Sequence, residues 1–212
     1  MATAKATTRT ISSASDTTSR ALRSRSKPRR ESAPHPVRWT REQYYRMGEL
    51  GWFEGKRVEL LEGEIVEMSP IGSRHATSVA LVQAVLQRIF FTDCHVRAQV
   101  PVSITESSDP EPDVAVVSGN IRDYIEAHPT TALLVVEVSD ATLSIDRTRK
   151  TLMYARAGIA EYWIVNLKAR QLEVRREPTK RGYSSTQTLK ESETVTPLSA
   201  PDAIIKVADL LP

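Results

Sequence analysis

Residues 132–139 have the sequence Ala-Leu-Leu-Val-Val-Glu-Val-Ser, an apolar run interrupted by one carboxylate at Glu137. A segment that is apolar on both faces predicts a central strand of a sheet that is covered on both sides. A carboxylate inside such a strand costs on the order of several kcal/mol unless a cation or hydrogen-bond donors meet it. We therefore expect Glu137 to have a partner of opposite charge.

A second acid opens another apolar run upstream. Asp113 directly precedes residues 114–117, Val-Ala-Val-Val, and the turn residues Ser118-Gly119 follow them. Turn residues at the end of a β-branched run are typical of a short strand. Asp113 is therefore predicted at the end of a strand.

The partner for Glu137 is predicted on the next helix. Apolar residues at helical spacing indicate a helix from Ser144 to Gly158, which ends at the glycine. At about 100° per residue, Lys150 flanks the apolar stripe and can reach back to the preceding strand. Two acids at strand ends with a nearby lysine form the minimal apparatus for metal-assisted phosphodiester cleavage.

These residues resemble a known signature. Glu111-Pro112-Asp113, then Val136-Glu137-Val138-Ser139, resembles the PD-(D/E)XK motif of restriction-endonuclease-like nucleases, except that Ser139 stands where the usual lysine would be. With Lys150 on the following helix, the pattern is similar to the Uma-two family of endonucleases, in which the lysine has migrated. The resemblance covers roughly residues 39–212 and includes further matching segments, namely Val58–Val66, Ser69-Pro70, His75, Tyr154, Ala157-Gly158 and Glu161–Val165.

The resemblance implies a set of site residues. Asp113 and Glu137 would be metal ligands, joined by the backbone carbonyl of Val138, and Lys150 would orient the attacking water. Because these ligands are hard oxygens, Mg²⁺ or Mn²⁺ is favoured over Zn²⁺. A restriction-endonuclease-like core is expected, which is an α/β fold with a mixed β-sheet flanked by helices and a C-terminal antiparallel β extension.

Three other polar residues each have two interpretations. The resemblance makes Glu59 an additional acid near the metal, whereas the sequence alone equally allows an exposed carboxylate on a hairpin. His75 falls in the first turn of a predicted helix, where a histidine is either a capping or surface residue or, by resemblance, a residue near the scissile phosphate. Gln99 points either toward the site or to solvent.

The remaining segments predict the other elements of the fold. Thr40 and Gln43 have capping-box spacing at a helix start, and Glu62-Gly63 indicates a hairpin turn. A strand is expected over 95–104, a short helix over 121–128 in a strand–helix–strand crossover, and a strand at 162–165 beside Glu137. Further predicted segments are a meander of three strands at 171–176, 182–190 and 193–198, and a helical turn at 207–211.

Length and composition limit the class of protein. A chain of 212 residues fits one domain, here residues 37–212, preceded by a tail. Cys94 is the only cysteine, so a reducing cytoplasm is the expected compartment. No apolar run approaches the roughly 20 residues that a membrane-spanning helix needs, so no membrane-spanning segment is expected. Glycine-rich phosphate loops, zinc-spaced Cys/His sets and G-x-S-x-G elbows do not occur.

The positive charge is concentrated at the N-terminus. Residues 1–35 carry eight basic and two acidic residues, a net charge of +6, whereas the rest carries 21 basic and 24 acidic residues, a net charge of −3. Residues 1–36 are rich in Ser, Thr and Arg and are predicted to be disordered. The alternatives for this tail are a solvated extension, a phosphate-contacting arm or an organellar transit peptide.

Two function classes follow from these observations. The first is a metal-dependent endonuclease that acts on nucleic acid, DNA being expected. The second is a nuclease-fold protein that binds DNA or a protein partner without cutting, and Glu137 with Lys150 would then form a structural ion pair. The preference between DNA and RNA and the presence of a homodimer stay open.

Overall fold

A six-stranded mixed sheet forms the body of the computed structural model, which describes residues 35–212. The elements in chain order are α1 (Arg41–Glu49), β1 (Val58–Leu61), β2 (Glu64–Glu67), α2 (Ser73–Ile89), β3 (Cys94–Ala98), β4 (Val114–Ser118), a 3₁₀ helix (Ile121–Tyr124), β5 (Leu134–Ser139), α3 (Leu143–Ile145), a π-helical segment (Asp146–Lys150), α4 (Thr151–Arg156), β6 (Glu161–Asn166), β7 (Gln171–Thr179), β8 (Gly182–Lys190), β9 (Thr194–Val195), β10 (Ile205–Lys206) and a 3₁₀ helix (Val207–Leu210). The predicted tail over 1–36 lies outside the described residues except for its last two positions.

The central sheet has the strand order β3-β4-β5-β6-β7-β8. Only β5 and β6 are parallel, and every other neighbouring pair is antiparallel. All six residues of β5 and of β6 are buried, as their continuous apolar sequences predict. The expected α/β fold with a mixed sheet and flanking helices is confirmed.

The two faces of the sheet carry separate cores. Val136 and Trp163 pack on the face that α2 covers, whereas Val135 and Tyr162 pack on the other face with Tyr154 of α4. Because side chains alternate along a strand, Glu137 lies on the same face as Val135. The carboxylate therefore points toward the helical segment that follows β5.

That helical segment is not the regular helix that the sequence predicts over Ser144–Gly158. It runs from Leu143 to Arg156, and its middle turn, Asp146–Lys150, is π-helical. The N–H of Thr151 donates to the carbonyl of Asp146, five residues back, which is the hydrogen bond that defines a π turn. Gly158 follows with a φ of +77° and ends the segment, as predicted.

Two local predictions before β5 are wrong. The expected crossover between β4 and β5 does not occur, because these strands are antiparallel and only the 3₁₀ helix Ile121–Tyr124 lies between them. The expected strand over 95–104 ends at Ala98, because Gln99 takes a left-handed φ of 53° and turns the chain. The crossover is instead made by the segment between the parallel strands β5 and β6.

The C-terminal region contains the predicted β extension with one difference. Strands β7 and β8 continue the sheet as an antiparallel hairpin. The third predicted strand is reduced to β9, which pairs with β10 in a separate two-stranded sheet. The final predicted helical turn is the 3₁₀ helix Val207–Leu210.

The β1–β2 hairpin forms a separate two-stranded sheet. Glu62 and Gly63 both have positive φ, 48° and 79°, as a two-residue hairpin turn requires. Leu61 packs in the same core as Tyr154, and its carbonyl accepts a hydrogen bond from Arg149. The hairpin is thereby held over the face of the sheet that carries Glu137. No helix within residues 35–212 is long and apolar enough to cross a membrane.

Candidate active site

The register between β4 and β5 brings the two predicted acids together. Val114 pairs with Val136 in these antiparallel strands. Continuing that register by one residue places Asp113, directly before β4, opposite Glu137. Both carboxylates lie on the face of the sheet that the helical segment covers.

Asp113 is held by two donors from different elements. Its Oδ2 accepts a hydrogen bond from the backbone N–H of Val138 at 2.8 Å, and its Oδ1 lies 2.9 Å from Nε2 of His75, in the first turn of α2. This hydrogen bond raises the pKa of His75, against the opposing effect of burial. The structure thus places His75 against Asp113.

The carbonyl of Val138 faces the same region. The N–H and C=O of one strand residue point to the same side, and the N–H of Val138 points at Asp113. Strand β4 begins only at Val114, so this part of the β5 edge lies beyond the paired strand. Strand geometry therefore puts the carbonyl oxygen of Val138 on the same side of β5 as the Asp113 carboxylate.

Glu137 receives two hydrogen bonds from the helical segment. Its Oε1 accepts from Nζ of Lys150 at 3.0 Å and from the hydroxyl of Tyr154 at 2.8 Å. Lys150 and Tyr154 are four residues apart and so share one helix face. All three residues are buried, and Glu137 is only 3% exposed. Glu137 thus has the positively charged partner that its burial requires.

Glu59 completes this arrangement from the β1–β2 hairpin. Its Oε1 lies 3.4 Å from Nζ of Lys150, and its Oε2 accepts a hydrogen bond from the backbone N–H of Glu111. The residue is 4% exposed, so the structure does not place it as an exposed hairpin carboxylate. One ammonium group therefore lies between two buried carboxylates.

The buried charges in this cluster shift one another's pKa values. Burial lowers the pKa of Lys150, but the charges of Glu137 and Glu59 outweigh it, so the net pKa is raised and the amine stays protonated. Burial raises the pKa of Glu137, which Lys150 opposes and Asp113 reinforces. Three buried carboxylates, Glu137, Glu59 and Asp146, act on the charge of this single lysine, and a further cation beside Glu137 would lower the pKa that burial raises.

The cluster lies at a cleft of about 220 Å³. Glu59, Asp113, Glu137 and Lys150 contribute polar lining, and the apolar lining residues are Val66, Met68, Pro70, Ile71, Ala141 and Ile145. Gln99 also lines the cleft, and its N–H donates to the carbonyl of Asp113 at 3.2 Å. Of the two interpretations of Gln99, the structure matches the one that directs it to the site.

Sequence reasoning did not assign Asp146 to the site. The residue lines the cleft and is 2% exposed. Burial raises the pKa of its carboxyl, and Lys150 opposes that shift. The available signal was its spacing of four residues from Lys150, which places both on one helix face.

The donor set suits a hard divalent cation. Carboxylate oxygens of Asp113 and Glu137 and the carbonyl oxygen of Val138 are the ligand types that Mg²⁺ and Mn²⁺ prefer. Within residues 35–212, no group of three or more His, Cys, Asp or Glu side chains is arranged to hold a metal ion.

The bond between Tyr154 and Glu137 supports a stability prediction. Replacing Tyr154 by Phe should lower the free energy of unfolding by about 2 kcal/mol, because a buried charged acceptor loses a donor. Tyr183→Phe is the matched control, since its hydroxyl donates to the neutral carbonyl of Ile159 at 2.9 Å. Urea unfolding of both variants checks this prediction, and equal losses would contradict it.

Two comparisons with known proteins give matches, one to a family and one to a fold. The model of the Uma2 family, described as "Putative restriction endonuclease", matches residues 41–208. The chain is similar in structure to a protein from Anabaena variabilis ATCC 29413 described as a "putative nuclease belonging to DUF820", with a TM-score of 0.66 and 14% sequence identity. That match covers 82% of this chain and 97% of the other. A comparison with curated proteins finds no match.

Proposed function

The chain belongs to the Uma2 family of restriction-endonuclease-like proteins, and we propose that it is a divalent-metal-dependent endonuclease that hydrolyses phosphodiester bonds in nucleic acid, with DNA as its substrate. One observation carries the proposal. Nζ of Lys150 lies 3.0 Å from Glu137 and 3.4 Å from Glu59, and the register of β4 and β5 puts Asp113 opposite Glu137. Buried carboxylates in excess over one lysine are suited to a cation and a phosphate group together.

Each residue has a distinct role in this proposal. Asp113, Glu137 and the carbonyl of Val138 hold Mg²⁺ or Mn²⁺, which when bound polarises the scissile phosphate and offsets developing negative charge. Lys150 orients the attacking water and stabilises charge on the phosphate oxygens. Glu59 helps to hold the ammonium of Lys150 in place as its second carboxylate partner.

His75 acts on this site through Asp113. Its Nε2 lies 2.9 Å from Oδ1 of Asp113, so the imidazole fixes the orientation of the carboxylate. A ligand whose carboxylate is oriented by a second side chain binds its metal more tightly. His75 also lines the cleft, where a scissile phosphate would approach.

A cleavage assay tests the proposal. Supercoiled plasmid, single- and double-stranded DNA oligonucleotides and RNA are incubated with the full chain in Mg²⁺, Mn²⁺, Ca²⁺ or EDTA. We expect cleavage of DNA in Mg²⁺ or Mn²⁺ and none in EDTA. Asp113→Ala should reduce the rate about 100-fold, because it removes a metal ligand.

The matched control for this assay is Asp202→Ala. Asp202 is exposed in a C-terminal turn and does not line the cleft, so its removal changes the charge equally without touching the site. Cleavage that persists in EDTA, or that Asp113→Ala and Asp202→Ala affect alike, would contradict the proposal.

One observation favours the second candidate, a module that binds DNA or a protein without cutting. Lys150 and Tyr154 both donate to Oε1 of Glu137, and the same two hydrogen bonds would be expected if the ion pair had a purely structural role. In that case the protein would bind DNA equally well with and without divalent metal. Filter binding in EDTA and in Ca²⁺, beside the cleavage assay, separates the two functions.

The N-terminal tail supports a further prediction. Deleting residues 1–35 removes a net charge of +6, so nucleic-acid affinity should fall mainly at low salt, while the melting temperature stays unchanged. The measurement is the slope of affinity against salt concentration for the full and shortened chains. A large loss of thermal stability would show instead that the tail is part of the fold.

A further inference from the structure

Asp146 accepts hydrogen bonds through both its side chain and its backbone carbonyl. Its Oδ2 accepts hydrogen bonds from the hydroxyls of Ser139 at 2.5 Å and Thr142 at 2.7 Å. Its backbone carbonyl accepts from the hydroxyls of Thr151 at 2.7 Å and Tyr162 at 3.1 Å. The first residue of the π-helical segment is thus tied to strands β5 and β6 as well as to its own helix.

The hydrogen bonds of Asp146 affect the orientation of Lys150 through the geometry of the π turn. Asp146 begins the segment and Lys150 ends it. A π turn contains one residue more than an α-helical turn, and one residue corresponds to a rotation of about 100°. The direction of the Lys150 side chain therefore depends on whether this turn keeps its π geometry.

Strand β5 supplies both the hydroxyl that binds Asp146 and the carboxylate that Lys150 contacts. Ser139 is two residues beyond Glu137 in β5, so both side chains lie on the same face of the sheet. Glu137 contacts the end of the π segment at Lys150, and Ser139 contacts its beginning at Asp146. One strand therefore holds both ends of the turn.

We propose that Asp146 is a positioning residue, which fixes the π turn against Ser139 and Thr142 and thereby places the ammonium of Lys150 between Glu137 and Glu59. The consequence for cleavage rests on the proposed nuclease function, whereas the placement of Lys150 does not. Asp146 does not contact the phosphate in this scheme and acts only through Lys150.

The placement of Lys150 is measured by its reactivity toward an amine acetylating reagent, with mass spectrometry of the peptides. Lys206 is exposed and serves as the internal reference. In the native protein Lys150 is 5% exposed, so it should react far more slowly than Lys206. Asp146→Ala should raise the ratio of the two rates about tenfold, because the turn opens locally. Asp146→Asn retains one acceptor oxygen and should raise it less.

Asp140→Ala is the matched control. Asp140 precedes the same helical segment, but its side chain is 50% exposed and its ion-pair partner, Lys168, is 4.0 Å away. Its removal should leave the reactivity of Lys150 unchanged. Ser139→Ala removes only one hydroxyl and its hydrogen bond to Asp146. This variant is therefore measured instead if Asp146→Ala does not fold.

Cleavage kinetics provide the second measurement. Asp146→Ala should lower kcat about 10- to 100-fold with little change in KM, as expected when a catalytic group is misplaced. The double variant Ser139→Ala/Asp146→Ala should be no slower than Asp146→Ala, since both changes disrupt one contact. A merely structural role would lower the melting temperature without this kinetic pattern.

The outcomes separate this proposal from the proposed function. The positioning role is overturned if Lys150 reacts as slowly in Asp146→Ala as in the native protein. If Asp146→Ala does not fold, the same comparison is made with Ser139→Ala. If the native protein cleaves no nucleic acid, the nuclease function fails, and the acetylation ratio still decides whether Asp146 places Lys150.

Discussion

Replacing Lys150 by Met is expected to abolish measurable cleavage, with a loss of about 1,000-fold or more. The ammonium of Lys150 contacts both Glu137 and Glu59, and within residues 35–212 no other lysine lines the cleft. Methionine matches the four-atom apolar stem of lysine but supplies neither the charge nor the hydrogen-bond donors of the ammonium group. Single-turnover kinetics at saturating Mg²⁺ or Mn²⁺ would measure this loss separately from any change in substrate binding.

The same change should also alter stability in a way that depends on metal. Without Lys150, Glu137 and Glu59 are buried without a cation, and breaking a buried ion pair costs about 3–5 kcal/mol. A divalent cation bound by Glu137 and Asp113 would restore part of this stability. Mg²⁺ or Mn²⁺ should therefore raise the melting temperature of Lys150→Met more than that of the native protein.

Lys168→Met is the control for Lys150→Met. The side chain of Lys168 is 72% exposed, and its contact with Asp140 is 4.0 Å long, so both activity and stability should be preserved. A Lys150→Met protein that melts far lower and does not respond to metal would remove Lys150 from the catalytic residues and indicate a structural ion pair.

Glu161→Ala should destabilise the protein by about 3–5 kcal/mol, although Glu161 lies outside the cleft. Its carboxylate is fully buried and accepts hydrogen bonds from the guanidinium of Arg176, the indole N–H of Trp163 and the backbone N–H of Leu198. Alanine leaves a largely buried cation and two other donors without their acceptor. Urea unfolding measures the loss directly.

An exposed ion pair near the other end of β6 provides the comparison. Arg170 and Glu191 are 2.5 Å apart, but their side chains are 40% and 42% exposed. Glu191→Ala should therefore destabilise the protein far less than Glu161→Ala does, because solvent screens the exposed pair. If the two substitutions cost the same, burial would not explain the effect of Glu161.

Local patterns in the sequence determined much of this protein. The apolar runs around Asp113 and Glu137 specified the central strands, and Glu62-Gly63 specified a hairpin turn, because strand burial and left-handed turns have residue preferences that act over a few positions. The pairing of Lys150 with Glu137 followed from the cost of burying an isolated carboxylate, and the structure contains that contact at 3.0 Å.

Only the tertiary structure decided how these elements meet. The antiparallel pairing of β4 with β5, the placement of Glu59 beside Lys150 and the π turn at Asp146 all depend on contacts between residues distant in the chain or on hydrogen bonds across elements. Helical periodicity cannot show one inserted residue, because apolar spacing changes little over a single turn. A strand pattern likewise gives the faces of a strand but not its neighbour, since pairing is set by the packing of the whole sheet.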